Sequence, residues 1–516
     1  MRRVVILSAA LLGALPAAAN QAVGKTFLTN TRDMMFQVTS PMRLTFDRDD
    51  RMHLKDDSHE ADISATGFYV QSSDEQALRD YFLPVSGKTS LVAGGLGSAA
   101  YIGNPVTLDI VSDFFNVFTS DITGAVFTGD TFQSNLAFNP KQKVAGIGLQ
   151  WQQSFFDKYF FKASAPIVHV SNDLGMVETV TNVGGGAVPT GAVANMTEAF
   201  RQTGLNYGKI DGAQTKWGVA DVELIFGRDW LDDSTAKMNL YVGLVCPTGN
   251  RPKAEYLWEA IIGNNNHWGA FFGSSSSYIW REGDNYVITA VCDTDARYLF
   301  ENTQVRMLDL NGRPWSRYLY LASVNTNTAG APLTAGESMF EQGLEFGVNI
   351  LTQAVRVAPH GSFTINSALN YRRDCGLEGE AGVNFFARQA EKVKLANRFI
   401  NSNQYSVPAL ESDISAPNFA NTASFATINN AQEQANTDIN HGSGSPQAYV
   451  FTEADLDLNS AATPAVIEST FYAALGKRWD KCRFPCFAGI GGSYTYTADN
   501  ASIRRWGVWG KAGLTF

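Results

Sequence analysis

The chain has 516 residues, of which 17% are charged and 12% aromatic, with 46 glycines and a formal charge of −10. That acidic balance argues against nucleic acid as a partner. Mean hydropathy is −0.13, and beyond the first residues no apolar run reaches the ~18 needed for a membrane-spanning helix, so the apolar residues are dispersed as in a large β-barrel.

Arg2 and Arg3 precede an apolar run from Val4 to Leu15, and Ala17-Ala18-Ala19 supplies an A-x-A cleavage site before Asn20. Residues 1–19 read as a secretory signal peptide; losing Arg2 and Arg3 takes the charge from −10 to −12. The first cysteine is Cys246, which argues against a lipoprotein anchor. An exported membrane protein without apolar helices has one remaining architecture, a closed barrel with every backbone group paired inside its wall. Residues 20–57 alternate little and carry the cluster Asp47-Arg48-Asp49-Asp50-Arg51. They are expected to face water or the pore as an N-terminal segment that plugs the lumen or sits below it. His53 and His59 flank Asp56, Asp57 and Glu60, ligand types for a divalent cation, but a solvated polar segment is the simpler reading and no metal site is assigned.

Residues 58–516 read as the barrel, because strands of period two recur along them. Val144 to Phe155 places Ala145, Ile147, Leu149 and Trp151 opposite Gly146, Gly148, Gln150 and Gln152, and Asp157-Lys158 turns it into Tyr159 to Val170. Ala220, Val222, Leu224 and Phe226 oppose Asp221 and Glu223. Met238, Leu240, Val242 and Leu244 oppose Lys237, Asn239 and Tyr241. Trp268–Trp280 and Tyr286–Tyr298 form a hairpin with aromatics at both strand ends, as a membrane girdle requires. Phe363 to Tyr371, Leu377 to Arg388, Ile467 to Trp479 and Phe487 to Ala498 follow. The last strand alternates Trp506, Val508, Gly510, Ala512, Leu514 and Phe516 against Arg505, Gly507, Trp509, Lys511, Gly513 and Thr515.

That closing strand, ending on Phe516, resembles the terminal strand of Gram-negative outer-membrane barrels, in which the final Phe is an assembly signal. The resemblance implies outer-membrane lipid and the barrel assembly machinery as partners. Counting backward from Phe516 puts every short turn on the periplasmic side. The long segments, including 172–213 and 392–463, fall outside as surface loops. The second of these is rich in Asn, Ala, Ser and Gln and reads as mobile. About fourteen strands are expected, with twelve to sixteen tolerable, because one crossing between Leu299 and Gln342 is not cleanly located.

Cys482 and Cys486 flank a turn containing Pro485, and a local disulfide there is the best pairing in an oxidising compartment; Cys375 lies in another short turn. No G-x-S-x-G, no phosphate loop and no His spacing identifies catalysis or a cofactor, so no enzyme is expected. The polar strand faces carry Asp221, Glu223, Lys237, Asp293, Asp295, Arg297, Arg372, Glu378, Glu380, Arg388, Arg505 and Lys511. In a channel these would face the lumen with both signs represented. The bland reading is salt-bridged filler in a closed lumen. Phe271, Ile279, Phe386 and Trp509 share that face and suit a hydrophobic or amphipathic permeant.

Gly218-Val219-Ala220-Asp221 followed by a strand closing on Pro247-Thr248-Gly249, and then His267-Trp268-Gly269, resembles the transporter family linked to the meta pathway of phenol degradation. That family is related to FadL-type fatty-acid channels. The resemblance covers roughly residues 216 to 280 and implies a barrel admitting small hydrophobic molecules. It carries over Gly218, Asp221, Pro247, Thr248 and Gly249 without giving any of them a ligand. The Asn-Pro-Ala hatch motif of the fatty-acid channels is not present in the mature amino-terminus.

Overall fold

The computed structural model describes residues 21–29, 61–94, 108–109, 132–155, 158–182, 193–323, 344–407, 449–497 and 499–516. Residues 1–19, expected as a signal peptide, and the charge cluster at 47–51 lie outside them. Thirteen strands form one antiparallel sheet that closes on itself. They are β1 (Ala61–Ser72), β2 (Lys141–Phe155), β3 (Tyr159–Asp173), β4 (Gln214–Val219), β5 (Val222–Asp232), β6 (Ala236–Cys246) and β7 (Gly269–Gly283). After them come β8 (Tyr286–Leu299), β9 (His360–Arg373), β10 (Leu377–Arg388), β11 (Val466–Trp479), β12 (Cys486–Thr497) and β13 (Arg505–Thr515). β4 and β5 both pair with β3, one beyond the other, and are halves of a single crossing. Twelve crossings therefore close the ring, within the twelve to sixteen expected from sequence and two fewer than the fourteen favoured there. Between Leu299 and His360 none of the described strands joins the ring. Asn302–Met307 pairs with Thr352–Ala358, which pairs with Lys392–Leu395, as a small sheet beyond the rim.

β1 meets β13 at the seam, from Asp62 opposite Thr515 to Ser72 opposite Arg505. Ala61 N donates to Phe516 O at 3.0 Å and Phe516 N donates to Ala61 O at 2.8 Å, so the last residue completes the closure. Alternation decides the faces. Trp506, Val508 and Leu514 are exposed while Arg505, Trp509 and Thr515 are buried. Around the ring the exposed set is apolar, with Trp217, Trp230, Trp268 and Trp280 each more than half exposed. A belt of this extent is far larger than a soluble protein leaves bare, and it fits a bilayer.

The described turns 233–235, 284–285, 374–376 and 480–485 lie at one end, and the long connections lie at the other. The long connections do not behave as separate loops. Helix α1 (Glu75–Phe82), capped by Asp74 on Ala77 N, contributes Leu78, Tyr81 and Phe82 to a single buried cluster. Phe200, Leu257, Trp315, Phe399, Phe451 and Ile503, one or more from each later connection, complete it. The mobile loop expected at 392–463 is thus corrected at its flanks: Phe399, Phe451, Leu456 and Ala461 are buried. Residues 408–448 lie outside the described ones. A few isolated apolar side chains, with no period to betray them, anchor each connection. The same holds within 172–213, where Met196, Ala199 and Phe200 are fully buried.

Cys375, Cys482 and Cys486 are free thiols. The expected bridge is not formed in this structure; the turn is held instead by Arg478 Nε on Asp480 at 2.7 Å and by Thr515 N donating to Pro485 O at 2.9 Å.

Candidate functional site

The functional surface is the barrel interior and the mouth beneath the cap. Its most specific feature is the break between β4 and β5. Val219 is exposed and Ala220 and Asp221 are fully buried, so the break shifts the side-chain parity by one residue, as a bulge does. Ala220 N still donates to Pro166 O at 2.8 Å. Asp221 accepts from Asn264 N at 2.7 Å and from Thr248 N at 3.3 Å, and Thr248 Oγ1 donates to Ala220 O at 2.7 Å. A Cβ on Gly249 would collide with Ile262 O, and one on Gly263 (φ +74°) with the Asp221 carboxylate. The Gly-x-x-Asp and Pro-Thr-Gly segments therefore form an interlock that docks residues 247–268 on the strand break. Asp221 is committed to that loop rather than presented to the lumen, because a carboxylate beside two orphan N–H groups in a dry site is held by them. The docked loop reaches inward. Ala260 and Ile262 join the inward valines Val144, Val168 and Val170 in one cluster, and Asn172 Nδ2 donates to Glu259 O at 2.7 Å.

The other polar-face residues lie on the face opposite the apolar belt and are mostly paired. Arg297 meets Glu223 at 2.6 Å and Asp295 at 3.6 Å. Arg372 meets Glu378 at 2.9 Å, and Arg478 meets the same carboxylate at 3.6 Å. Arg505 meets Glu468 at 3.2 Å, and Ser502 Oγ donates to that carboxylate as well. Asn366 Nδ2 donates to Asp293 at 3.3 Å and Asn370 Nδ2 to Glu380 at 3.5 Å. Lys237 lies at the short-turn rim, 3.7 Å from Asp232, and Lys511 is 6.0 Å from the Phe487 ring. Arg388 is buried at the opposite rim. Glu468 and Arg478 were missed from sequence, although extending the alternation of Ile467–Trp479 would have found both.

Between the charges, inward aromatics lie over glycines. Phe68 faces Gly146, Phe160 faces Gly227, Phe271 faces Gly243, Tyr241 faces Gly273, Tyr472 faces Gly382, Trp509 faces Gly491 and Phe487 faces Gly513. In every case the two are direct cross-strand partners. A Cβ at each glycine would collide with its ring. The missing side chain lets the ring lie flat along the wall instead of projecting across the bore. Tyr472 and Trp509 also face each other, with centroids 6.5 Å apart.

Above this face the stretch 21–29 is clamped into the cap. Gly24 N and Lys25 N donate to Leu83 O and Tyr81 O, each at 2.9 Å, and Thr26 N donates to Ser460 O at 3.0 Å. Ala22 and Asn500 exchange two hydrogen bonds of 2.8 and 2.6 Å. The Arg306 guanidinium lies 3.6 Å from the Phe27 ring centroid and pairs with Glu391 at 2.7 Å, both fully buried. Thr29 Oγ1 donates to Glu391 at 2.7 Å and accepts from Asn265 Nδ2 at 3.1 Å. Burial opposes the charge on Glu391, but Arg306 and its hydrogen bonds win and hold the carboxyl down at about 2. His267 is adjacent. Its Nδ1 is 2.7 Å from Phe300 O and its Nε2 is 2.8 Å from Gln304 Nε2. The neutral tautomer with Nδ1–H donating and Nε2 accepting satisfies both contacts, and burial pushes the imidazole down to about 4. Residues 30–57 of the segment expected as a plug lie outside the described residues.

Among the described residues no group of three or more His, Cys, Asp or Glu could hold a metal ion; His53 and His59 lie outside them. No family model matches the chain, and no curated protein does. Solved structures share its outline. An outer membrane channel from Pseudomonas putida F1 is 10% identical with a TM-score of 0.35, over 90% of this chain and 99% of that one. A FadL homologue from Pseudomonas aeruginosa is 10% identical with a TM-score of 0.29, over 96% and 99%. The β domain of the Bordetella autotransporter BrkA is 6% identical with a TM-score of 0.30, over 89% and 100%. Likenesses this distant reach barrels of different purpose alike and assign no activity to this chain.

Proposed function

We propose that the chain is an outer-membrane channel for passive or facilitated passage of small hydrophobic or amphipathic molecules, and not an enzyme. The reading rests on one observation above the rest: the inner face of a bilayer-suited barrel alternates internally paired charges with seven aromatic rings laid flat over glycines. Paired charges present little net field to an ion, whereas flat rings offer contact to an apolar solute at low conformational cost. Glu223, Asp293, Asp295, Arg297, Arg372, Glu378, Glu380, Arg388, Arg505 and Lys511 line that path in this proposal. The barrel assembly machinery would read the closing strand and Phe516.

The packed cap favours a second reading, a surface-recognition barrel without transport, because the outer connections share one core that reaches into the mouth. Purified protein in proteoliposomes separates the two. Uptake of small amphipathic solutes above protein-free vesicles, with low ion conductance in planar bilayers, is the expected result. Vesicles that remain tight to every solute tested would leave the recognition reading standing.

A further inference from the structure

We propose that Cys482 and Cys486 form a reversible disulfide at the short-turn rim, made by exchange with a disulfide-bearing protein of the periplasm. The inference rests on the outer-membrane reading, which places this rim in an oxidising compartment. Both thiols belong to one short connection. β11 ends at Trp479 and β12 begins at Cys486, and these two residues are cross-strand partners, so the backbone of Cys486 is fixed by the ladder. Cys486 is half-buried and Cys482 exposed. Cys482 stands in the turn itself, four residues before Cys486.

The roles of the two sulfurs follow from access. Cys482 is exposed, so it is the sulfur that a protein oxidant reaches first. Its thiolate attacks one sulfur of the oxidant's disulfide, forming a mixed disulfide and releasing the oxidant's first thiolate. The Cys486 thiolate then attacks the Cys482 sulfur and expels the second. Two cysteine thiols lose two protons and two electrons, and the oxidant's disulfide becomes two thiols. The closed pair would pin the start of β12, which lies opposite Leu514 of the closing strand. Cys375 is the competitor. It is exposed in the neighbouring turn, which is tied to the end of β11 by Arg478 N donating to Gly376 O at 2.8 Å.

The full-length protein, taken from washed outer membranes and denatured in a maleimide reagent, reports the pairing by mass. Of the five cysteines, three should label before reduction, five less the bridged two, and all five afterwards. Cys482→Ser and Cys486→Ser should each label fully without reduction, whereas Cys375→Ser should keep the reductant-dependent gain of two. Five labels on unreduced wild type, or a gain abolished by Cys375→Ser, would overturn the proposal. Failure to recover the protein in outer membranes would instead remove the reading on which it rests, and the label count would not enter.

Discussion

The wall and the cap are built by opposite rules. Apart from local shifts at Met238/Asn239 and Ile279/Arg281 and the break between β4 and β5, the wall strands pair with their neighbours in an unbroken register, as from Leu377 opposite Lys477 to Arg388 opposite Val466. One local pattern, repeated twelve times around the ring, specifies it. The cap has no repeat. It is joined by contacts such as Ala22 with Asn500 and Thr29 with Glu391, each of them made once between distant parts of the chain. A wall of this kind distributes its stability over many backbone bonds, while the cap concentrates it in a few buried side chains. Single substitutions should therefore separate the two regions.

The largest expected effect is at Arg306. Arg306→Ala strands Glu391 as a buried carboxylate without its cation, a change that typically costs about 3–5 kcal/mol. The cap should open while the wall survives. Protease added to intact cells should then cut the long connections, with heat-modifiable gel migration of the barrel unchanged. Joint loss of cap and barrel would show that the two are one cooperative unit.

Acidification should reach the same clamp without a mutation. His267 is held at about 4 against an ordinary 6.5, so the unfolded cap binds the extra proton first. The stability from neutral His267 is complete above pH 6.5 and declines as pH falls toward 4. Glu391, held at about 2, adds a second loss from about pH 4.5 downward. Arg306 and Arg251 face His267 and further oppose its charge, while Glu391 works the other way. Protease sensitivity of the cap should therefore rise below pH 6.5 in wild type. In His267→Gln the rise should begin only near pH 4.5; an unchanged onset would take His267 out of the clamp.

Much of the wall was legible in the sequence because period two survives in any single strand: the alternation of Trp506 to Phe516 predicts both faces of β13 correctly. The crossing count was not, because Asn302–Met307 and Thr352–Ala358 are strands by composition yet pair beyond the rim, and nothing local tells a wall strand from a cap strand. Asp221 shows the same limit inside the site. Its alternation marks an inward residue, but only the fold brings Thr248 and Asn264 to it. The cap was least legible, since Phe399 and Phe451 lie far apart in a polar, Asn-rich stretch and gain meaning only when buried together. Arg306 and Glu391 carry no sequence signal of their pairing at a separation of 85 residues.

The strand-break interlock tests where wall and cap join. Gly249→Ala would force a methyl group against the carbonyl of Ile262, and backbone cannot yield as a side chain can. Overpacking of this kind costs about 1–3 kcal/mol. Residues 247–268 should become the first protease site, ahead of the connections held by Arg306, and Asp221→Asn should produce the same nick more weakly. Cleavage elsewhere first would mean that the loop does not depend on the break.

The smallest effect, and the most informative about function, lies in the lumen. Arg297 serves two carboxylates, Glu223 and Asp295, whereas Glu378 is served by two arginines, Arg372 and Arg478. Arg297→Gln removes the cation that two carboxylates share; Arg372→Gln leaves Glu378 still paired with Arg478. At an effective dielectric of about 20 a lumen charge change is worth on the order of 1 kcal/mol after screening, or about fivefold in a permeability ratio. Reversal potentials across planar bilayers should move toward cation preference in Arg297→Gln and hardly at all in Arg372→Gln, with heat-modifiable migration retained in both. If the two variants shift equally, the pairs do not set the field along the path. If neither shifts while solute uptake persists, the permeant passes along the rings without meeting these charges, and Phe271→Ala, which removes the ring beside Arg297, becomes the variant expected to reduce uptake.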